Sequence, residues 1–241
     1  DTNRLRSQFS SFGYNLKPRM HMLVADLSRQ FLSIEDVQPL ADRLLAHIDN
    51  AVYTVNHTEI IFLSSTDAPS KTFYDRSALE TELGDGQIML GASSGFTEVR
   101  DVHLRIEEAR RAIAAARRLG RTSHVLAYPD YRIDDLILHI DDDAVVDGAR
   151  FSPLLRLLDE DEREGTELAR TLWLYLANPS HPVDVAAELF IHKNTLYYRL
   201  DKIRQIMGCD FKDAETIANI QITFHILRLQ GRFDPTRAPL E

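Results

Sequence analysis

The sequence predicts an α+β protein, with an N-terminal ferredoxin-like α/β half followed by an all-α half that carries a helix-turn-helix. Three observations support this. Up to about residue 128, short β-rich runs alternate with helical stretches in the order β-α-β-β-α-β, with one further strand. After Ser152 the apolar spacing is helical throughout. Between the two lies an acidic, glycine-bearing stretch, DDDAVVDGAR (141–150), of linker composition. The expected division is a tail or linker at 1–18, an α/β domain at 19–140, a linker at 141–151, a helix-turn-helix domain at 152–231 and a tail at 232–241.

Each element has a local reason. Residues 1–18 show no convincing period and read as a tail, or as the end of a longer chain, since the sequence opens on Asp rather than Met. MHMLVADL (20–27) is an apolar run of strand length. SIEDVQPLADRLLAHI (33–48) reads as an amphipathic helix capped by Ser33 with Asp36 three residues on, its stripe being Leu40, Leu44, Leu45 and Ile48. AVYTV (51–55) and EIIFL (59–63) flank Asn56, His57 and Thr58, which predicts a hairpin. A short helix at 77–83 is expected to stop at Gly84 and Gly86, and QIMLGAS (87–93) is a further strand. Residues 98–119, rich in Ala, Arg and Glu and ended by Gly120, form the strongest helix of this half. HVLAY (124–128) reads as the closing strand before Pro129. In the second half Ser152 and Pro153 suit a helix start, and 166–177 places Leu168, Leu172, Trp173 and Leu176 on one side before Asn178, Pro179 and Ser180 break it. Helices at 183–190, 192–207 and 213–229 follow.

Composition narrows the function classes. With 44% hydrophobic and 27% charged residues the chain has an ordinary globular make-up, and no apolar run approaches the roughly 18 residues of a membrane span. Cys209 is the sole cysteine, so no intrachain disulfide is possible and a cytoplasmic location is expected. The formal net charge of -9 argues against coating nucleic acid by bulk charge. The 166–231 region nevertheless balances seven Lys/Arg against seven Asp/Glu, so a sequence-reading module there would depend on geometry and on two copies. A metal site from Asp141, Asp142 and Asp143 is the alternative to a solvated acidic loop; no metal and no cofactor are expected. The histidines show no zinc spacing with the lone cysteine.

The segment VDVAAELFIHKNTLYYRLDKIRQIM (183–207) carries the functional expectation. Small Ala186 and Ala187 let a second helix cross closely beside Leu189, and Phe190 and Ile191 mark a break. His192 or Asn194 suits the cap of the next helix. Leu196, Leu200, Ile203 and Met207 recur at core spacing, leaving Lys193, Asn194, Tyr197, Tyr198 and Arg199 off the stripe near the helix start. There Asn can pair with adenine and Lys with guanine, Thr195 can touch phosphate or a thymine methyl, and Arg199, Lys202 and Arg204 suit phosphates. The alternative is a helical hairpin with a solvated polar face, in which Tyr197 or Tyr198 is part of the core. Cys209 and His225 read as packing residues.

The segment LFIHKNTLYYRLDKIRQIMG (189–208) resembles the C-terminal helix-turn-helix of PucR/CdaR-type bacterial regulators. It carries an L-F-x-H-x-N-T-x-x-Y-R-L signature through Leu189, Phe190, His192, Asn194, Thr195, Tyr198, Arg199 and Leu200, followed by Gly208 and Asp210. LLRLLDEDEREGTELARTLWLYL (154–176) resembles the lead-in, an Asp before a T-E-L-x-x-T-L helix, and about the last ninety residues are covered. The resemblance implies a regulator of catabolic or secondary-metabolism (for example polyketide) genes. It implies His192, Lys193, Asn194, Thr195, Tyr197, Tyr198, Arg199 and Lys202 as the contacts to double-stranded DNA. It further implies a homodimer, contact with RNA polymerase and a small-molecule effector sensed by an upstream domain, with no membrane partner.

The α/β half resembles the degenerate GGDEF-like domain that precedes this helix-turn-helix, with a role in dimerisation or signal relay. A nucleotide cyclase needs glycines and carboxylates in the hairpin, and here it reads Asn56, His57, Thr58, Glu59, Ile60. Thr58 cannot supply the anionic oxygen a Mg²⁺ ion needs, and Asp26 is followed by Ser28, Arg29 and Gln30 rather than the expected nucleotide-binding partners. No enzyme activity is therefore expected. A divergent nucleotide-binding or cyclase-like protein is the alternative, and a protein-interaction module presenting Trp173, Tyr197 and Tyr198 is the third reading.

Overall fold

Strand β1 (Arg19–Asp26) is apolar on both faces and buried along most of its length, which marks it as a central strand covered from both sides. In the computed structural model it pairs antiparallel with β3 (Glu59–Thr66) and with β4 (Met89–Ala92), and β2 (Ala51–Val55) pairs antiparallel with β3. The five-stranded order is β2-β3-β1-β4-β5, with β5 (Val125–Ala127) parallel to β4. This is the expected split-βαβ arrangement with one strand added at its edge. A parallel neighbour needs a crossover, and helix α3 (Val102–Arg118), entered through a 3₁₀ turn at Val99–Asp101, supplies it. The structure describes residues 9–235 other than 12, 31–32, 68–71 and 85–86. Gly86 as a helix stop, and the parts of the expected tails at 1–8 and 236–241, lie outside the described residues.

The pleat sorts the side chains. Leu23, Ala25, Ile60 and Phe62 face helices α1 (Ile34–Leu45) and α2 (Arg76–Leu83), meeting Leu40 and Leu44 of the first and Leu79 of the second. Met20, Met22, Ile61 and Leu63 face the opposite way, toward Val102 and Ile106 of α3. Ser33 caps α1 by accepting from the Asp36 amide while Asp36 bonds back, the reciprocal box read from the sequence. Alanines crowd the sheet-facing side of α3 for a steric reason. A Cβ on Gly91 of β4 would lie 2.0 Å from the Ala109 carbonyl oxygen, so backbone meets backbone there and only glycine fits.

The end of this half holds two helices that the sequence did not signal. The closing strand stops at Ala127, and Tyr128–Leu138 is a helix, α4. Pro129 is the reason, because at the start of a helix its missing N–H removes nothing. The acidic stretch expected as linker holds a short helix, α5 (Asp143–Gly148), whose Ala144 amide is capped by Asp142 at 2.9 Å. Asp142 is therefore a cap, and among the described residues no group of three or more His, Cys, Asp or Glu is placed to hold a metal ion.

The chain divides into two compact units, Asp1–Asp135 and Leu136–Glu241. The second is helical: α6 (Ser152–Glu164), α7 (Leu168–Ala177), α8 (Pro182–Glu188), α9 (Lys193–Met207) and α10 (Ala214–Leu229). Leu157, Leu172, Leu196, Leu200, Ile203 and Phe224 are fully buried in its core. The cap of α6 is Phe151 rather than Ser152, because the Phe151 amide donates to Thr223 Oγ1 of α10 at 2.8 Å and its carbonyl receives the Leu154 amide. Trp173 is half-buried within this unit, edge-on to Phe224 with the Arg228 guanidinium 5.0 Å from its ring centre. No described helix is long and apolar enough to cross a membrane.

Candidate nucleic-acid interface

Helix α8 is short, and its inner side is set by buried Val185, Ala186 and Leu189. Ala187, expected at the crossing, is exposed. The chain turns sharply after Leu189, where the Phe190 and Ile191 amides donate back to the carbonyls of Ala187 and Ala186 at 3.0 and 2.9 Å. Phe190 takes a positive φ of 54° in that turn. His192 then adopts extended backbone and caps α9, its Nδ1 accepting from the Asn194 amide at 3.2 Å. Of the two expected caps, His192 fills the role, which leaves the Asn194 side chain out of the capping bond.

The candidate residues separate into two groups. His192, Lys193, Asn194, Thr195, Tyr197 and Tyr198 are exposed, Tyr197 at 44% and Tyr198 at 69%, so neither tyrosine is core. The Lys193 ammonium sits 5.8 Å from the centre of the Tyr197 ring. Arg199 and Lys202 are half-buried. Arg199 Nη1 donates to Thr171 Oγ1 of α7 at 3.2 Å, which anchors the guanidinium and aims its remaining donors. Arg204, expected among the phosphate contacts, pairs with Asp201 and Asp210 and covers the Phe211 ring at 4.8 Å, so it holds the end of α9 together.

Spacing did not reveal what positions α9. Asp161 of α6 accepts from the Leu168 and Ala169 amides at 2.8 and 2.7 Å and from the Thr166 hydroxyl, so it caps α7 from outside that helix. Arg156 Nη2 donates to the Met207 carbonyl at 2.6 Å, and Gly208 ends α9 at φ 68°. The Asp before T-E-L-x-x-T-L in the sequence is a legible signal for the first of these. The second has none.

A concavity of about 340 Å³ lies in the first unit beside the β2–β3 hairpin, lined among others by Asp26, Ser28, Thr58, Glu59, Arg110 and Arg117. Glu59 receives a two-pronged bond from Arg110 at 2.8 and 2.7 Å, and Asp26 is bonded by Arg117 at 2.5 Å. Burial disfavours the Asp26 carboxylate, but bonds from Ser28 and Arg117 outweigh it and hold its pKa below the ordinary value. The Glu59 bond raises the Arg110 pKa further above its already high value. The hairpin itself is an Asx turn, Asn56 Oδ1 accepting from the Thr58 and Glu59 amides. Both carboxylates of the pocket are thus neutralised by arginines of α3.

Comparison with known proteins places both units. Residues 168–226 match the PucR C-terminal helix-turn-helix domain, and residues 1–115 match the GGDEF-like domain. Over 143 residues the chain is 27% identical to the purine catabolism regulatory protein of Bacillus subtilis (strain 168), covering 59% of this chain and 26% of that protein. It is 35% identical over 75 residues to the proline-responsive transcriptional activator PutR of the same organism, covering 31% and 18%. To the transcriptional activator PmfR of Paenarthrobacter nicotinovorans it is 26% identical over 137 residues, covering 57% and 28%. The chain therefore spans only 26%, 18% and 28% of the lengths of these relatives. A crystal structure of a regulator of polyketide synthase expression from Bifidobacterium adolescentis aligns with a TM-score of 0.40 at 18% identity, over 95% of this chain and 88% of that one. The chain thus carries a GGDEF-like domain at residues 1–115 and, after it, a PucR C-terminal helix-turn-helix domain at residues 168–226.

Proposed function

We propose that this chain is the DNA-binding portion of a transcription regulator, and that the first turns of α9 enter the major groove of duplex DNA. The observation that carries the reading is the exposed donor set at the start of α9. His192, Lys193, Asn194 and Thr195 stand clear of the core on a helix whose inner stripe is fully packed. Lys193 and Arg199 are the charged residues between Leu189 and Arg199, with no carboxylate among them, and the helix N-terminus adds positive potential. Base contacts fall to Asn194 and Lys193, the Lys193 ammonium also neutralising a phosphate, and phosphate and sugar contacts to Thr195, Tyr197, Tyr198, Arg199 and Lys202.

Two chains acting together fit the near-neutral 166–231 region, since one helix start offers few phosphate contacts. The regulator reading puts the protein in the cytoplasm as a homodimer, with an effector sensed upstream and RNA polymerase as a further partner. The names of the relatives support control of catabolic genes.

The test is selection of binding duplexes from a random-sequence library with the chain itself, followed by gel shift and footprinting. Asn194→Ala and Lys193→Ala are each expected to weaken binding by about 1–3 kcal/mol. If both leave binding to the selected duplex unchanged, α9 is not the reading helix.

We further infer that the GGDEF-like unit turns over no nucleotide. Asp26 and Glu59 are held by Arg117 and Arg110, and Thr58 stands where a third carboxylate would be needed to bind metal. Incubation with GTP and Mg²⁺ should give no product. Measurable turnover that is lost in Asp26→Asn would restore the cyclase-like alternative.

A further inference from the structure

Phe190 breaks two local rules at once. It holds φ 54°, a left-handed conformation that costs a bulky side chain free energy and that glycine adopts freely. Its ring is also 94% exposed, the most exposed large apolar side chain among those described. Neither feature is compensated inside the unit. The turn is closed by backbone bonds alone, the Phe190 and Ile191 amides to the carbonyls of Ala187 and Ala186, and these need no side chain at 190. The neighbouring apolar residues behave as packing residues should: Leu189 is buried and Ile191 is half-buried against the core. A residue that breaks local rules without internal gain marks a contact made with something outside the chain.

Its place in the chain identifies that partner. Phe190 lies two residues before His192, the cap of α9, and is followed by exposed Lys193, Asn194 and Thr195. The stretch from Leu189 to Arg199 holds two cations and no carboxylate, which complements a polyanion. We propose that the Phe190 ring is a DNA contact, packing against deoxyribose and thymine methyl groups at the wall of the major groove that α9 enters. The αL backbone turns the ring outward, where a glycine would make no contact at all. This inference rests on the DNA-binding reading of α9 and adds an apolar contact to its polar ones.

The experiment compares Phe190→Gly, Phe190→Leu and Lys193→Ala in the full chain, using a duplex selected by the wild-type chain. Phe190→Gly removes the ring and the left-handed strain together. Its affinity is expected to fall roughly tenfold at every salt concentration, with the slope of log K against log salt unchanged, because no ion pair is lost. Lys193→Ala should instead lower that slope by about one. Phe190→Leu should retain part of the affinity. Thermal stability of Phe190→Gly should equal or exceed that of the wild type, since the change relieves the left-handed backbone and removes a ring that is 94% exposed.

Enrichment of a duplex with unchanged binding by Phe190→Gly overturns the Phe190 contact and leaves the α9 reading intact. Unchanged affinity together with loss of a dimer by sedimentation reassigns the ring to a second copy of the chain, and so overturns the proposal. A clear fall in thermal stability overturns it in favour of an internal role. If no duplex is enriched, both the α9 reading and this inference fail.

Discussion

At the scale of single residues, two positions of the first unit carry predictions of opposite kinds. His21 of β1 is stacked on Phe73 at 3.8 Å, and burial, aided by the charge of Arg19, lowers its pKa to about 4 from an ordinary 6.5. The unfolded chain takes up this proton near pH 6.5 and the folded chain only near 4. The stabilising contribution is therefore complete above about pH 6.5 and is lost as pH falls toward 4. With residual solvent screening allowed for, the loss is on the order of 2 kcal/mol. Hydrogen exchange of the β1 amides across that range should show it, and His21→Phe should flatten the dependence. Gly91 is a steric matter and independent of pH. Because a Cβ at position 91 would lie 2.0 Å from the Ala109 carbonyl oxygen, Gly91→Ala must push α3 off β4, at a cost of at least about 2 kcal/mol in urea unfolding. An alanine variant as stable as the wild type would show that α3 slides without loss.

At the scale of elements, the pose of α9 depends on α7. Asp161 fixes the first turn of α7, Thr171 one turn later accepts from Arg199, and the Thr171 hydroxyl donates in turn to the Glu167 carbonyl at 2.9 Å. Asp161→Ala is expected to cost about 1–2 kcal/mol as a lost cap. Trp173, the single tryptophan, lies on the same helix and reports the unfolding by fluorescence. Well below the midpoint this variant should still bind DNA, because its effect is on stability. Arg199→Ala should both weaken binding and lower stability, since the proposed interface and the α7–α9 tie both use it. A binding loss for Asp161→Ala as large as that for Asn194→Ala would mean that α7 itself reaches the DNA.

At the scale of the whole molecule, charge constrains the proposed binding of DNA. A net charge of -9 opposes binding at long range, so affinity has to come from a few well-placed cations. Lys193, Arg199 and Lys202 are those of α9 with no acidic partner in the ion pairs described. If each meets one phosphate, log K should fall against log salt with a slope of about -3 for one chain and about -5 for two. A slope near the smaller value with one chain per duplex would remove the homodimer from the proposal.

How much of this was legible varies with the distance over which each feature is decided. The capping box of Ser33 and Asp36, the stripe Leu196, Leu200, Ile203 and Met207, and the break before His192 were all readable, because each is set within one or two turns of chain. Helix α4 was missed because Pro129 reads as a stop in a strand context and as a start in a helical one. The capture of Asp26 by Arg117 joins residues far apart in the sequence, as does that of Glu59 by Arg110, and no local pattern encodes such pairing. The sequence by itself determined the periods, the caps and the residue types offered at the start of α9. Tertiary structure alone decided which arginines were tied down and which side chains stayed in water, because partner choice follows from packing between elements rather than from spacing along the chain.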